Sequence, residues 1–202
     1  MNLPNKLTLL RVLLIPLFVL VFYIPHLNER TLLLFDLPVR LSYIVGVLIF
    51  VLASVTDFLD GNLARRRNLV TNFGKLMDPL ADKMLVMSAL FILTEMKLLP
   101  AFCAIIIIGR EFLVTGVRQL AVGEGIVIAA SKLGKAKTIS QIVMIIALFL
   151  LPIERQDLFE YVNGQMIQGV IVDTLIIVTT VLTLISGFDY VFKNRGMILA
   201  SK

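Results

Sequence analysis

Tryptophan is absent from this 202-residue chain, and cysteine and histidine occur once each, as Cys103 and His26. A single cysteine excludes an internal disulfide framework and any zinc site built on cysteines. Charge is scarce as well. Only 16% of residues are charged, against about a quarter in soluble domains. Apolar residues reach 58% and the mean hydropathy is +0.95, a balance that excludes a water-soluble globule and points to an integral membrane protein. Nineteen Lys and Arg against 14 Asp and Glu leave a formal charge of +5. In so apolar a chain, that excess suits anionic lipid head groups or phosphorylated ligands and not nucleic acid. No internal repeat, low-complexity tract or Ser/Gly-rich linker divides the sequence. Without tryptophan, interfacial anchoring falls to Tyr23, Tyr43, Tyr161, Tyr190 and nearby phenylalanines.

A membrane helix needs about 20 mostly apolar residues to satisfy its own backbone across roughly 30 Å of hydrocarbon. Six stretches come close, near 5–24, 40–65, 73–95, 98–120, 133–153 and 168–192, although the second loses its apolar character after Val55 and only Met84 to Thr94 of the third is cleanly apolar. The sequence therefore predicts an all-α, polytopic fold with six transmembrane helices. The N-terminal stretch follows Lys6 but carries no small-residue cleavage pattern before His26, so it reads as an uncleaved first helix. Counting Lys and Arg assigns the sides. Fourteen, among them Arg65, Arg66, Arg67, Arg110, Arg118, Lys132, Lys135 and Lys137, fall on one side; Arg30, Arg40, Lys97 and Arg155 fall on the other. Both termini are then expected in the cytoplasm.

Four carboxylates stand where charge is costly. Asp57 and Asp60 close the second span, and Asp78 and Asp82 open the third. At 100° per residue the first two are about 60° apart and the second two about 40° apart, so each pair shares a helix face. Alternating topology brings both pairs to the cytoplasmic half of the bilayer. Converging carboxylates repel unless neutralised, and hard divalent cations with oxygen ligands meet that need. Two Mg2+ or Mn2+ ions would balance four negative charges. No histidine or cysteine lies near them, which disfavours zinc or copper. Two other readings stand beside this one. The carboxylates could form a buried ion-pair network with Lys75, Lys83 and Arg65, or they could line a divalent-cation transport pathway. Spans four to six add only Glu111, Glu124, Asp173 and Asp189, without a visible relay.

The spacing Asp57-x2-Asp60-Gly61-x2-Ala64-Arg65-x8-Gly74-x3-Asp78-x3-Asp82 resembles the signature of the CDP-alcohol phosphotransferase family, with every position filled. The resemblance implies one transmembrane domain over residues 1–202, usually a homodimer, holding two divalent metal ions. It implies transfer of a substituted phosphate from a CDP-linked donor to an alcohol, with release of CMP. By the same resemblance Asp57, Asp60, Asp78 and Asp82 are metal ligands, and Asp82 is also the general base toward the acceptor hydroxyl. Gly61 and Ala64 are implied as the close-approach surface for the nucleotide, with Arg65 and Gly74 beside it.

Arg110 and Arg118 lie toward the cytoplasmic end of span four, and Lys132, Lys135 and Lys137 at the start of span five. Guanidinium grips phosphate as a fork and ammonium as a point charge. A phosphorylated acceptor would explain Arg110, Arg118, Lys135 and Lys137, whereas Arg66, Arg67, Lys193 and Lys202 suit lipid anchoring. Three further stretches carry a resemblance to one branch of the family. They are Leu3-Pro4-Asn5-Lys6-Leu7-Thr8-x2-Arg11, Gly109-Arg110-Glu111-Phe112-x5-Arg118, and Ser131-Lys132-Leu133-Gly134-Lys135-x-Lys137-Thr138-x2-Gln141. That resemblance implies CDP-diacylglycerol as donor and sn-glycerol 3-phosphate as acceptor, with Asn5 and Thr8 near the nucleotide. Inositol phosphate, serine or phosphatidylglycerol are the alternative acceptors within the family. Cys103 and His26 are expected to be structural only.

Overall fold

In the computed structural model, α1 spans Leu3–Val21 and a short α2 spans Pro25–Glu29. Strands β1 (Thr31–Leu34) and β2 (Leu37–Arg40) follow, and then α3, Leu41–Arg67. The remaining helices are α4 (Asn72–Glu95), α5 (Ala101–Gly123), α6 (Lys132–Leu150) and α7 (Met166–Ala200). The structure describes residues 3–34, 37–67, 72–123, 125–126, 128–129, 131–151, 153 and 166–200; within these, side chains are described except at 3–8, 57–79, 82 and 197–200.

Helices α1, α3, α4, α5, α6 and α7 lie over the six expected segments. Among the described residues, two stretches are long and apolar enough to cross a bilayer, Lys132–Leu150 and Met166–Gly196, and Leu9–Val21 and Leu41–Thr56 are shorter apolar runs. α7 is longer than its apolar pattern announced. Its 35 residues make about 52 Å of helix at 1.5 Å per residue, so Lys193 and Arg195 extend the same rod beyond the apolar stretch. The all-α expectation needs one amendment. Thr31–Leu34 and Leu37–Arg40 pair as an antiparallel hairpin, with Thr31 opposite Arg40 and Leu33 opposite Pro38. Each run is four residues long, too short for periodicity to separate strand from helix.

The chain forms two compact units. The first comprises Met1–Glu95 with Phe149–Pro152. Here α1 packs on α3 and α4, and α3 and α4 touch each other. Its centre is aromatic: Phe22 stacks on Phe149 at 5.0 Å and meets Phe18 edge-on at 5.1 Å. Tyr43 closes the group against Phe149 at 5.8 Å. At one end the Tyr23 hydroxyl donates to Glu95 Oε2 at 2.5 Å, joining the C-terminal ends of α1 and α4. Nearby, Ser42 donates to Asn28 Oδ1 and Asn28 Nδ2 donates to the Phe22 carbonyl, both at 2.6 Å, tying α2 to the start of α3. Gly46 lets α3 approach this cluster: a Cβ there would sit 2.3 Å from Phe22 Cζ. Gly46→Ala is therefore expected to destabilise the protein by about 1–3 kcal/mol through overpacking, read as a lower midpoint of thermal unfolding in detergent; an unchanged midpoint would show that Phe22 yields.

The second unit comprises Met96–Leu148 with Ile153–Lys202. α5 packs along α7, and α6 is tied to α7 where the Thr179 hydroxyl donates to the Ser140 backbone carbonyl at 3.2 Å. Ser131 caps α6: its Oγ accepts from the Gly134 N–H at 3.0 Å. Cys103 is buried within this unit and His26 is exposed in α2 of the other. A cavity of about 230 Å3 between α5 and α7 is lined by Phe102, Cys103, Asp173, Ile176 and Thr180.

Candidate active site

The aspartates sit on regular helices of the first unit. Asp57, Asp60, Gly61, Ala64 and Arg65 fall within α3, and Gly74, Asp78 and Asp82 within α4. Continuous helix through both segments keeps the i, i+3 and i, i+4 spacings that place each pair on one face. Their side chains, with those of Asn5 and Thr8 in α1, lie outside the described residues. What can be tested is the chemistry and the backbone. Two carboxylates on each of two helices that touch are oxygen ligands of the chemical type that Mg2+ and Mn2+ accept. Among the described residues alone, no three potential metal-ligating side chains cluster.

The basic residues belong to the second unit, and here the side chains are described. Arg110 leaves α5 with 12% of its side chain exposed. Its Nη2 donates to Ser186 Oγ of α7 at 2.7 Å, and its Nη1 donates to Glu111 Oε1 at 3.3 Å. Lys137 of α6 is buried, with a 1% exposed side chain. Its ammonium donates to Glu111 Oε1 and, one turn along its own helix, to Gln141 Oε1. One carboxylate thus serves two cations, and Arg110, Lys137 and Glu111 taken together carry a formal charge of +1. Lys132 and Lys135 are exposed at the start of α6. Arg118 is exposed on α5, its guanidinium carbon 6.0 Å from the ring centre of Tyr190.

Cations crowd the N-terminal turns of α6, which has no acidic residue in its first turn. A helix N-terminus is already positive, so lysines there are placed against the macrodipole. That arrangement makes sense when an anion is the partner. Of the four predicted acceptor-phosphate residues, the structure gathers Arg110 and Lys137 around Glu111, and leaves Lys135 and Arg118 exposed. Sequence reasoning missed Ser186 altogether. The available signal was a Ser-Gly pair interrupting the apolar run of α7.

A profile of the CDP-alcohol phosphatidyltransferase family matches residues 1–186, a span that takes in Asp57, Asp60, Asp78 and Asp82 and the basic residues Arg110, Arg118, Lys132, Lys135 and Lys137. The chain belongs to the CDP-alcohol phosphatidyltransferase family. Curated members of this family align along nearly its whole length. The CDP-diacylglycerol–glycerol-3-phosphate 3-phosphatidyltransferase of Bacillus subtilis is 44% identical over 195 residues, covering 96% of this chain and 95% of that protein. Proteins of the same name from Rickettsia felis and Haemophilus influenzae are each 35% identical, covering 94% and 98% of this chain and 93% and 96% of their own. As a CDP-alcohol phosphatidyltransferase, the chain is a membrane-bound transferase of phospholipid biosynthesis.

Proposed function

We propose that this enzyme transfers the phosphatidyl group of CDP-diacylglycerol to sn-glycerol 3-phosphate, forming phosphatidylglycerol phosphate and CMP. The observation that carries the acceptor assignment is the net-positive cluster around Arg110, in a chain 44% identical to a relative named for this reaction. Six helices crossing the cell membrane in alternating directions, both termini in the cytoplasm, an active site facing the cytoplasm and a homodimeric assembly complete the reading. It is supported by the six long helices, the lopsided distribution of Lys and Arg, and the Tyr23–Glu95 bond that puts the ends of α1 and α4 together.

In this reading Asp57, Asp60, Asp78 and Asp82 hold two divalent ions, Mg2+ or Mn2+. Bound there, the ions would offset negative charge on the donor pyrophosphate and on the departing CMP. Gly61 and Ala64 keep side-chain bulk away from the nucleotide, with Arg65, Gly74, Asn5 and Thr8 beside it. Asp82 accepts the proton of the acceptor hydroxyl as its oxygen attacks the lipid-bearing phosphorus. The bond from that phosphorus to the bridging oxygen breaks, and the electron pair leaves with CMP. Arg110, Arg118, Lys135 and Lys137 hold the phosphate of the acceptor, Lys137 acting by its buried charge and the two exposed residues by direct reach.

The test is CMP release by the purified protein from CDP-diacylglycerol with glycerol 3-phosphate, inositol phosphate, serine or phosphatidylglycerol in turn. Turnover is expected with glycerol 3-phosphate alone, lost on chelation and restored by Mg2+ or Mn2+. Turnover only with another alcohol would remove the acceptor assignment, and chelator-resistant turnover would remove the metals. Divalent-cation uptake by proteoliposomes without CMP release would favour a transporter instead. Within the same assay, Arg118→Ala is expected to raise the KM for glycerol 3-phosphate about tenfold, as one charge-assisted phosphate contact is worth. The KM for the lipid donor should stay within about twofold of its value. An equal rise in both would mean general damage.

A further inference from the structure

Arg110 does not hang loosely from α5. Its stem lies against α7 at Gly187, where an added Cβ would stand 3.2 Å from Arg110 Cγ. Its head lies against α6 at Gly134, where an added Cβ would stand 3.5 Å from Nη2. Between these two glycines Nη2 is bonded to Ser186, a residue with no exposed surface. Glu111 holds Nη1 and is itself tied to the buried Lys137, which Gln141 also engages. A guanidinium carries five N–H donors in a rigid fork. Two of them meet Ser186 and Glu111, while the Nε donor is buried and has no hydrogen-bond partner among the described residues. A buried donor on a charged group is costly to leave unmet, and an oxyanion would meet it.

From this geometry we infer that Ser186, together with the slot formed by Gly134 and Gly187, is a positioning device. It fixes the rotation of the Arg110 guanidinium so that its remaining edge, Nε with the outer hydrogens, is presented to the phosphate of the acceptor. The inference rests on the proposed role of Arg110 in acceptor binding and adds a determinant on α7 that touches no substrate. Fixing a long side chain in advance removes part of the ordering cost of binding. Ser186 thereby acts on acceptor affinity through Arg110 and leaves the lipid donor alone.

The experiment is steady-state kinetics on the full-length protein in lipid nanodiscs, with CDP-diacylglycerol and glycerol 3-phosphate varied separately. Ser186→Ala is expected to raise the KM for glycerol 3-phosphate about tenfold, the worth of one hydrogen bond to a charged group, with donor KM unchanged. Ser186→Thr, which keeps the hydroxyl, should recover most of the loss. Gly187→Ala, which keeps Ser186 but crowds Arg110 Cγ, should raise the same KM selectively. In an Arg110→Ala background, Ser186→Ala should add nothing. If Arg110→Ala raises the acceptor KM and Ser186→Ala does not, the positioning role is overturned while the acceptor site stands. If Ser186→Ala weakens both substrates, or still acts when Arg110 is gone, its role is structural and the inference is also overturned. If Arg110→Ala leaves the acceptor KM unchanged, the acceptor reading of Arg110 fails first and carries the inference with it.

Discussion

Replacing Asp82 with asparagine is expected to lower kcat by about a thousandfold or more, with the protein still folded and inserted. General-base assistance contributes about 10² to 10⁴ in rate, and the amide cannot take the proton released by the attacking hydroxyl. The change is close to isosteric and lies on a long regular helix, Asn72–Glu95, so helix α4 has no reason to unwind. Since the lost interaction belongs to the transition state, kcat and kcat/KM should fall together. Asp57→Asn serves as the contrast, because in the proposed scheme it binds metal without taking a proton. It should raise the metal concentration needed for half-maximal rate, and excess Mg2+ should recover part of its activity. Excess metal should do little for Asp82→Asn. CMP release at saturating substrates, with circular dichroism as the control for folding, measures both. A near-normal rate for Asp82→Asn would end its role as base.

The six long helices were legible from length and general apolarity, although charges such as Asp57, Asp78 and Arg110 interrupt the runs and only two stretches among the described residues are long and apolar enough by themselves to cross a bilayer; the limits of α3, α4 and α5 follow the expected segments within a few residues. The hairpin at Thr31–Arg40 was not, since four-residue segments such as Thr31-Leu32-Leu33-Leu34 carry no usable period. α7 ran on past its apolar stretch because Phe192, Lys193, Asn194 and Arg195 continue a helix without needing to be buried. The aspartate faces of α3 and α4 follow from i, i+3 and i, i+4 spacing, which is local. So does the Lys137–Gln141 contact, one turn apart on α6. Contacts between distant segments are another matter. Glu111 and Lys137 are 26 residues apart and Arg110 and Ser186 are 76 apart. A serine inside an apolar helix announces no partner, because it can satisfy itself on its own helix. Only packing of α5 along α7 reveals that Ser186 serves an arginine.

Glu111→Ala is expected to destabilise the protein by about 3–5 kcal/mol, the usual penalty when one partner of a buried ion pair is removed. Lys137 is the reason. Its side chain is 1% exposed, so its charge has no route to water, and Gln141 alone offers a neutral acceptor. At roughly 2–4 °C per kcal/mol for a chain of this size, the thermal midpoint in detergent should fall by about 10 °C. An unchanged midpoint would show that the pair does not hold α5 to α6. The double variant Glu111→Gln with Lys137→Met removes both charges and keeps the volumes, and it should recover most of that stability. Activity separates the two functions of the cluster. Loss of Glu111 takes the formal charge around Arg110 from +1 to +2, so a site that worked by charge alone would bind the acceptor phosphate more tightly. If geometry dominates, Arg110 loses the carboxylate on Nη1 and the KM for glycerol 3-phosphate rises despite the added charge. The expected outcome is the rise, in the single variant and in the stability-restored double variant alike. A fall in KM in the single variant would mean that the field of the cluster, and not the aim of its arginine, holds the acceptor.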